Sequence, residues 1–250
     1  MKSLLFFISI ILQLNSPYIS AQTVSMVTVD WSPFYGRDLP KQGFITEIAR
    51  QALKSRGHEL NITFMPWKRA MLLAKIGDAH GLFGCWINDE IRPDYHFSKE
   101  IMGSGDGHFL APLNSPWHDL VPERVVGKRV GIVGGYPISE ILNALFESGE
   151  IIKSEVNKVN QLLDMIGERN RIDLILENYQ VAKYHFQKEN TGQHFPLKIV
   201  GKDYVDSGLY ICWTRKIKGI EKLRSEFDTA IVEMRENGDI ERIKKTFKLE

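Results

Sequence analysis

The sequence lacks several patterns that mark particular classes of protein. Only two cysteines occur among 250 residues, and neither stands in a Cys-x-x-Cys or Cys/His spacing, so no metal site is expected. Lys and Arg (32) nearly balance Asp and Glu (31), so no global field favours nucleic acid. The glycine-rich stretch 102–112 contains neither GxGxxG nor GxxxxGK[ST], which argues against a phosphate cradle there.

Long apolar runs are also scarce, and the one at the N-terminus has the features of a signal peptide. Lys2 supplies a positive charge, residues 4–14 form an apolar core, and small residues at 19–21 precede Gln22. The run is short for a bilayer span, and no cysteine at the cut indicates a lipid anchor. We expect a signal peptide at 1–21 and a soluble mature protein, periplasmic in a Gram-negative source.

The two cysteines, Cys85 and Cys212, lie in apolar runs typical of strands. In an oxidising compartment an even pair can form one disulfide. Strand geometry rarely brings two such residues within bridging distance, however, and free cysteine is commonly buried as a small apolar residue. The sequence therefore favours two buried thiols over a disulfide.

Residues 65–98 contain the most informative pattern. Apolar residues at helical spacing begin at Trp67, and Gly77 ends that helix, as a glycine just past the last turn commonly does. A short apolar run at 81–86 is typical of a buried strand, and a polar turn with Arg92 follows it. Because ligands of open α/β sheets bind at the carboxyl ends of strands, we expect a crevice where this strand ends.

The same order of patterns is found in a known family. Besides residues 65–98, the chain has a Gly-Phe-x-x-Glu helix start at 43–47 and the run NGDIERIKKTF at 237–247. With these features the sequence resembles solute-binding protein family 3, the polar amino acid type of periplasmic binding proteins, from about residue 24 to residue 247. The resemblance implies an α/β protein with the two-lobed periplasmic-binding-protein-like (type II) fold, a mixed sheet in each lobe and two hinge connectors.

The resemblance also implies how the chain divides between the lobes. We expect lobe 1 to contain residues 22–111 and 207–250, and lobe 2 to contain residues 112–206. The glycine-rich stretch 102–112 would be the first connector. A second helix-then-strand unit at 160–177 repeats the pattern of residues 65–98, as two similar lobes require.

Hydrophobic periodicity places the other elements. Period-2 alternation and short apolar runs predict strands at 24–30, 60–64, 128–135, 195–200 and 208–213. Apolar residues at helical spacing predict helices at 43–56, from Ser139 onward, and on both sides of Gly238 near the C-terminus. Strand, helix and strand in succession imply right-handed parallel crossovers.

Residues of the first lobe that stand near predicted strand ends are candidate ligand contacts. Trp31 and Tyr35 follow the first strand and either line a ligand or cap the core. We expect Trp67 to contact the ligand, whereas for Trp86 ligand contact and packing between the lobes remain open alternatives. Gly84 lies near the place where the family carries a Ser or Thr donor.

Two further candidates concern the carboxylate of an amino acid ligand. The resemblance implies a bidentate Arg in the turn after the lobe-1 strand. Arg92 lies in that turn one residue later than usual, so it is either this cation or a solvent-exposed residue. Gly135 and Tyr136 lie between a strand and a helix start, whose free N–H groups can receive an anion, and Tyr136 takes the place of the family's Ser or Thr.

The resemblance also implies an acid for the ligand's amine after the second-lobe strand. Asn178 occupies that position here, and Glu177 precedes it. Because strand residues alternate between faces, we expect that both cannot point at the ligand without a bulge. With both anchors displaced, an ordinary α-amino acid becomes a weaker candidate than a flatter or cationic solute in an aromatic-walled pocket.

From these observations we expect the protein to be an extracytoplasmic solute receptor and not an enzyme. It would bind a small polar molecule, an amino acid or a related aromatic or cationic solute, and deliver it to the permease of an ABC transporter. No cofactor or metal is expected, and a hinged receptor is expected to be a monomer. Because Phe247, the last apolar residue of the C-terminal helical pattern, lies three residues before Glu250, no fused signalling domain is expected.

Two other functions remain open. A periplasmic sensor or accessory protein would use the same lobes to signal to a separate membrane protein. A dehydratase-like enzyme on the same fold would use Glu177, His96 or His108 as acid or base, although no nucleophile–base motif is present.

Overall fold

The computed structural model describes residues 22–87, 89, 91–103, 105–167, 171–203 and 208–247. The predicted signal peptide at 1–21 lies outside the described residues.

The described residues contain ten strands and seven α-helices. The strands are β1 (Thr23–Thr28), β2 (Glu59–Phe64), β3 (Gly81–Cys85), β4 (Tyr95–Phe97), β5 (His108–Pro112), β6 (Arg129–Val133), β7 (Ile152–Val156), β8 (Leu174–Glu177), β9 (Leu197–Lys202) and β10 (Tyr210–Thr214). The helices are α1 (Phe44–Ser55), α2 (Trp67–Ile76), α3 (Glu140–Glu147), α4 (Val159–Ile166), α5 (Tyr179–Glu189), α6 (Ile220–Glu236) and α7 (Asp239–Thr246).

The strands form two sheets with the same plan. The first sheet has the order β2-β1-β3-β10-β4 and the second has the order β7-β6-β8-β5-β9. In each sheet the first three strands are parallel, and the fourth and fifth add an antiparallel pair. Two mixed sheets with flanking helices confirm the predicted two-lobed fold, and we name the lobes first and second after their sheets.

The chain crosses between the lobes twice. It leaves the first lobe after β4 and returns to it before β10, and Ile101 and Leu209 on the two crossings are joined by a backbone hydrogen bond of 2.8 Å. The predicted boundary after residue 111 falls inside β5. This strand pairs with β8 and β9, because its buried residues 109–111 complete the second lobe's core. Residue 207, the other predicted boundary, lies outside the described residues.

Local sequence signals explain where the helices begin and end. Gly77 adopts the left-handed conformation (φ 91°) that ends α2, as its position predicted. Ser139 caps α3 by accepting a hydrogen bond from the Leu142 backbone N–H at 3.1 Å. The exposed edge strand β7 and the helix α5 have weak apolar patterns and were not predicted from sequence.

The prediction of two separate thiols is wrong, because Cys85 and Cys212 form a disulfide. Cys85 ends β3 and Cys212 lies in β10, and these strands are antiparallel neighbours in the first sheet. Their Cα atoms are 6.1 Å apart, within the range that a disulfide spans. Local sequence could not reveal this pairing, since the two cysteines are separated by 127 positions.

Among the described residues, no helix has both the length and the apolar character needed to cross a membrane.

Candidate functional site

A cavity lies where the carboxyl ends of four central strands face one another across the two lobes. Trp31 follows β1 and Trp86 follows β3, which are parallel neighbours in the first sheet. Tyr136 follows β6, and Glu177 ends β8, their counterparts in the second sheet. Parallel strands present their ends at one edge of a sheet, so each lobe delivers two side chains to the cleft.

The cavity is small and mostly apolar. It measures about 30 Å³, which is room for one or two waters but not for an amino acid. Its described lining consists of Trp31, Trp86, Gly105, Gly107, Ile132, Tyr136, Pro137, Ile138, Leu176, Glu177 and Asn178. A larger ligand therefore requires these walls to move apart.

Aromatic rings from both lobes pack together at the cavity. The centroid of Trp86 lies 5.7 Å from that of Trp31, in an edge-to-face arrangement, and 5.3 Å from that of Tyr136 across the cleft. Trp67 approaches both Trp86 (6.1 Å) and Tyr136 (6.3 Å) edge to face. These distances fall within the range of attractive aromatic pairs, so the rings hold the lobes together, and Trp31, Trp86 and Tyr136 also line the cavity.

Glu177 is the only acidic side chain in the described lining, and it is 3 % exposed. Its Oε1 accepts hydrogen bonds from the Asn178 backbone N–H at 2.7 Å and from Trp31 Nε1 at 3.4 Å. Its Oε2 is buried and has no hydrogen-bond partner within the described part of the chain. Burial raises the pKa of Glu177 to about 7, although the two hydrogen bonds oppose this shift.

Asn178 lines the cavity beside Glu177, although strand alternation alone would place such neighbours on opposite faces. Strand alternation does not apply to this pair, because β8 ends at Glu177 and Asn178 is the N-cap of α5. Asn178 Oδ1 accepts hydrogen bonds from the backbone N–H groups of Gln180 and Val181, and its Nδ2 donates to the Asp106 carbonyl at 3.3 Å. The side chain therefore has a structural role at the cavity wall.

A buried carboxylate that sequence reasoning missed lies at the start of α3. Asp203, 4 % exposed, accepts a hydrogen bond from the Ser139 backbone N–H at 2.7 Å. The connector glycines Gly105 and Gly107 were also missed as lining residues. Local sequence gave no signal for the contact between Asp203 and Ser139, because the two residues are 64 positions apart.

Trp67 and Gly135 meet at the contact between the lobes, next to the cavity. Trp67 Nε1 donates a hydrogen bond to the Gly135 carbonyl at 3.0 Å. Gly135 has a φ of +82°, and an added Cβ would lie 2.6 Å from Met71 Cε. The positive φ favours glycine here, and the absence of a Cβ leaves room for Met71 and for Trp67, whose Cδ1 would lie 3.1 Å from it.

Tyr35 and Gly84 lie behind the cavity in the first lobe's core. Tyr35 is fully buried, its hydroxyl donates to the Gly84 carbonyl at 3.2 Å, and burial raises its pKa. Gly84 has a φ of +72°, and a Cβ there would lie 2.4 Å from Tyr35 Oη. The pair therefore supports the loop that carries Trp31 rather than lining the space itself.

Arg92 lies on the surface. Its side chain is 58 % exposed, and its Nε donates to Asp89 Oδ1 at 3.2 Å, three positions earlier in the chain. The structure thus brings together five of the ten predicted site residues at the cavity: Trp31, Trp86, Tyr136, Glu177 and Asn178.

The described lining contains no Lys, Arg or His, so its only ionisable groups are Glu177 and the Tyr136 hydroxyl. That hydroxyl is buried without a described hydrogen-bond partner, and burial beside Glu177 raises its pKa. Across the described residues, no group of three or more His, Cys, Asp or Glu could hold a metal ion. The electrostatics of the cavity therefore favour a cation or a neutral molecule.

Comparison with solved structures gives close matches in fold at low sequence identity. The substrate binding protein of an amino acid ABC transporter has a TM-score of 0.73 and 20 % identity, over 90 % of this chain and 98 % of that one. An arginine third transport system periplasmic binding protein from Legionella pneumophila has a TM-score of 0.74 and 17 % identity, over 90 % and 99 %.

A histidine kinase sensor domain with similarity to periplasmic binding proteins matches equally well, with a TM-score of 0.74 and 15 % identity over 90 % and 95 % of the chains. No family model matches the chain, and no curated protein matches it in sequence. At these identities the likeness shows the two-lobed fold alone.

Proposed function

We propose that the protein is an extracytoplasmic solute receptor, which binds a small polar molecule between its lobes and delivers it to the permease of an ABC transporter. The observation that carries the proposal is the cavity between the lobes, where the central strands of both sheets end and a buried carboxylate oxygen has no described partner. Solved proteins of this fold include binding proteins of amino acid transport systems.

The contacts between the lobes support a hinged receptor. Two indole N–H groups of the first lobe donate to the second lobe, one to Glu177 and one to the Gly135 carbonyl. Two exposed ion pairs, Lys68–Glu155 and Lys188–Asp38, join the same lobes and add little energy. A ligand must break these few contacts to enter and can replace them when bound, which is the usual energetics of domain closure.

The receptor acts without catalysis in this proposal. His96 lies outside the cavity lining, where it contacts Glu221 and Arg215. His108 lies in β5 and is also outside that lining. Among the described lining residues the only other ionisable group is the Tyr136 hydroxyl, whose pKa is raised by burial, and no histidine or nucleophile–base pair accompanies Glu177 as a dehydratase-like mechanism would need. We also place the protein in the periplasm, as a monomer released from its signal peptide.

A periplasmic sensor is the second candidate, and the likeness to a histidine kinase sensor domain favours it. Uptake measurements separate the two functions. If the protein is a transport receptor, a strain lacking it loses high-affinity uptake of the ligand. If it is a sensor, uptake continues and the ligand-dependent transcriptional response is lost.

Ligand binding is tested first on the mature chain, from Gln22 onward, by isothermal titration against amino acids, amines, polyamines and small carboxylates. We expect one class to bind in a one-to-one ratio, and Trp86→Leu to weaken that binding at least tenfold. Trp117→Leu is the matched control, since Trp117 packs against the second lobe's own core beneath Lys128. Failure of every class to bind, or equal effects of both variants, would contradict a receptor that uses this cavity.

A further inference from the structure

We infer that the ligand is a small organic amine without a carboxylate, bound with its ammonium group against Glu177 Oε2 and its apolar part between Trp31, Trp86 and Tyr136. This inference rests on the proposed function and names the class of solute. It follows from three features: a helix start that already holds the Asp203 carboxylate, a described lining without Lys, Arg or His, and a Glu177 carboxylate oxygen without a described hydrogen-bond partner.

The start of α3, which follows the turn after β6, cannot receive a ligand carboxylate, because the Asp203 carboxylate is already bound there. Asp203 Oδ2 accepts from the Ser139 backbone N–H, and Ser139 Oγ accepts from the Leu142 N–H within the first turn. A negative ligand group placed there would displace a buried carboxylate or meet its repulsion. The strand–glycine–helix segment that the sequence indicated as an anion receptor thus already holds a carboxylate of the chain itself.

The start of α5 is satisfied in the same way. Asn178 Oδ1 accepts from the N–H groups of Gln180 and Val181, and Glu177 Oε1 accepts from the Asn178 N–H. Both helix starts of the second lobe that face the cleft therefore have acceptors within the chain. Because the described lining also contains no Lys or Arg, a carboxylate would be desolvated there without a counter-ion.

An ammonium group, by contrast, finds a complementary environment. Glu177 Oε2 is buried among lining residues and lacks a described donor, so a ligand N–H can supply the missing hydrogen bond. Trp31, Trp86 and Tyr136 line the same space, and the face of an aromatic ring attracts a cation through its quadrupole. An apolar amine body also packs against these rings and Ile132.

Two pairs of probes that differ only by a carboxylate test the inference by isothermal titration at pH 8. The pairs are phenethylamine with phenylalanine, and agmatine with arginine. We expect at least one amine to bind ten or more times as tightly as its amino acid, since a buried uncompensated carboxylate is costly.

Glu177→Gln preserves the shape of the side chain and removes its charge, and we expect it to weaken amine binding about tenfold or more. The matched control is Glu59→Gln at the exposed first residue of β2, which is expected to change nothing. Circular dichroism of each variant establishes that the native fold is retained. Weaker binding in Glu177→Gln with unchanged binding in Glu59→Gln supports the assigned contact.

The outcomes separate this inference from the proposed function. If an amino acid binds and its amine does not, or if Glu177→Gln binds the amine normally, the inference is overturned while the receptor stands. If neither member of either pair binds and the wider panel of solutes also fails, both the inference and the receptor are overturned.

Discussion

At Glu177, burial directly changes the acidity of the side chain. Glu177 is the last residue of β8, and its carboxyl group is buried at the contact between the lobes, where water cannot stabilise the charge. The hydrogen bonds from Trp31 and Asn178 reduce the cost of ionisation but do not remove it, so the pKa remains near 7. The charge of the cavity lining therefore changes within the physiological pH range.

This shift makes stability depend on pH in a definite direction. The pKa of Glu177 rises from 4.5 to about 7 on folding, so between these values the native state holds a proton that the unfolded state releases. The free energy of unfolding should therefore fall by roughly 3 kcal/mol as the pH rises from 4.5 to 7. Urea denaturation at pH 5, 6, 7 and 8 measures it, with Glu177→Gln as reference. Equal pH slopes in the two proteins would contradict the assignment.

Arg92 provides a second prediction at the residue scale. Because its guanidinium group is exposed and paired with Asp89, we expect Arg92→Gln to leave ligand affinity within about twofold of the wild type. The unfolding free energy should change by less than about 0.5 kcal/mol. Isothermal titration and denaturation check both values. A tenfold loss of affinity would instead assign Arg92 the carboxylate-binding role that the family resemblance implies.

At the scale of elements, the disulfide joins two distant parts of the chain within one sheet. Cys85 on β3 and Cys212 on β10 enclose the whole second lobe, which is inserted between them. Cross-linking such a long segment restricts the unfolded chain. The bond therefore ties the C-terminal strand and its helices α6 and α7 to the N-terminal part of the first lobe.

We expect Cys85→Ala with Cys212→Ala to lower the free energy of unfolding by about 2–5 kcal/mol. Guanidinium denaturation under non-reducing conditions measures the loss. Titration of thiols in the denatured wild-type protein should find none free, whereas prior reduction should reveal both. Two reactive thiols without reduction, or a double variant as stable as the wild type, would contradict this prediction.

At the scale of the whole molecule, the relative position of the lobes depends on a few close contacts. The turn at Gly135 touches α2 through Trp67 and Met71, and a Cβ at this position would meet both side chains. Gly192 offers a matched comparison, because it has the same φ of +82° with no atom within 4 Å of an added Cβ. Comparing the same substitution at the two positions therefore separates the effect of backbone strain from the effect of steric contact between the lobes.

Gly135→Ala should shift the lobes apart, because Ala at this φ both strains the backbone and pushes Met71 away. Small-angle X-ray scattering should show a larger radius of gyration than for the wild type. Gly192→Ala should lose a similar 1–2 kcal/mol of stability from backbone strain without any change in radius. The idea fails if both variants keep the wild-type radius, or if both expand equally.

The sequence by itself determined the local elements and the ends of strands where a site could form. Gly77 and Ser139 end and begin helices as their residue types dictate. Trp31, Trp86, Tyr136 and Glu177 could be placed at strand ends because apolar runs stop there. Local conformational preference and hydrophobic period are properties of neighbouring residues, so a single sequence reports them.

Only the tertiary structure decided which of these elements are neighbours. The pairing of Cys85 with Cys212, the place of β5 in the second sheet and the capping of α3 by Asp203 all join residues that are distant in the chain. The exposure of Arg92 likewise depends on the direction of its turn relative to the lobes. Such contacts depend on long-range strand order and packing, which no local pattern encodes.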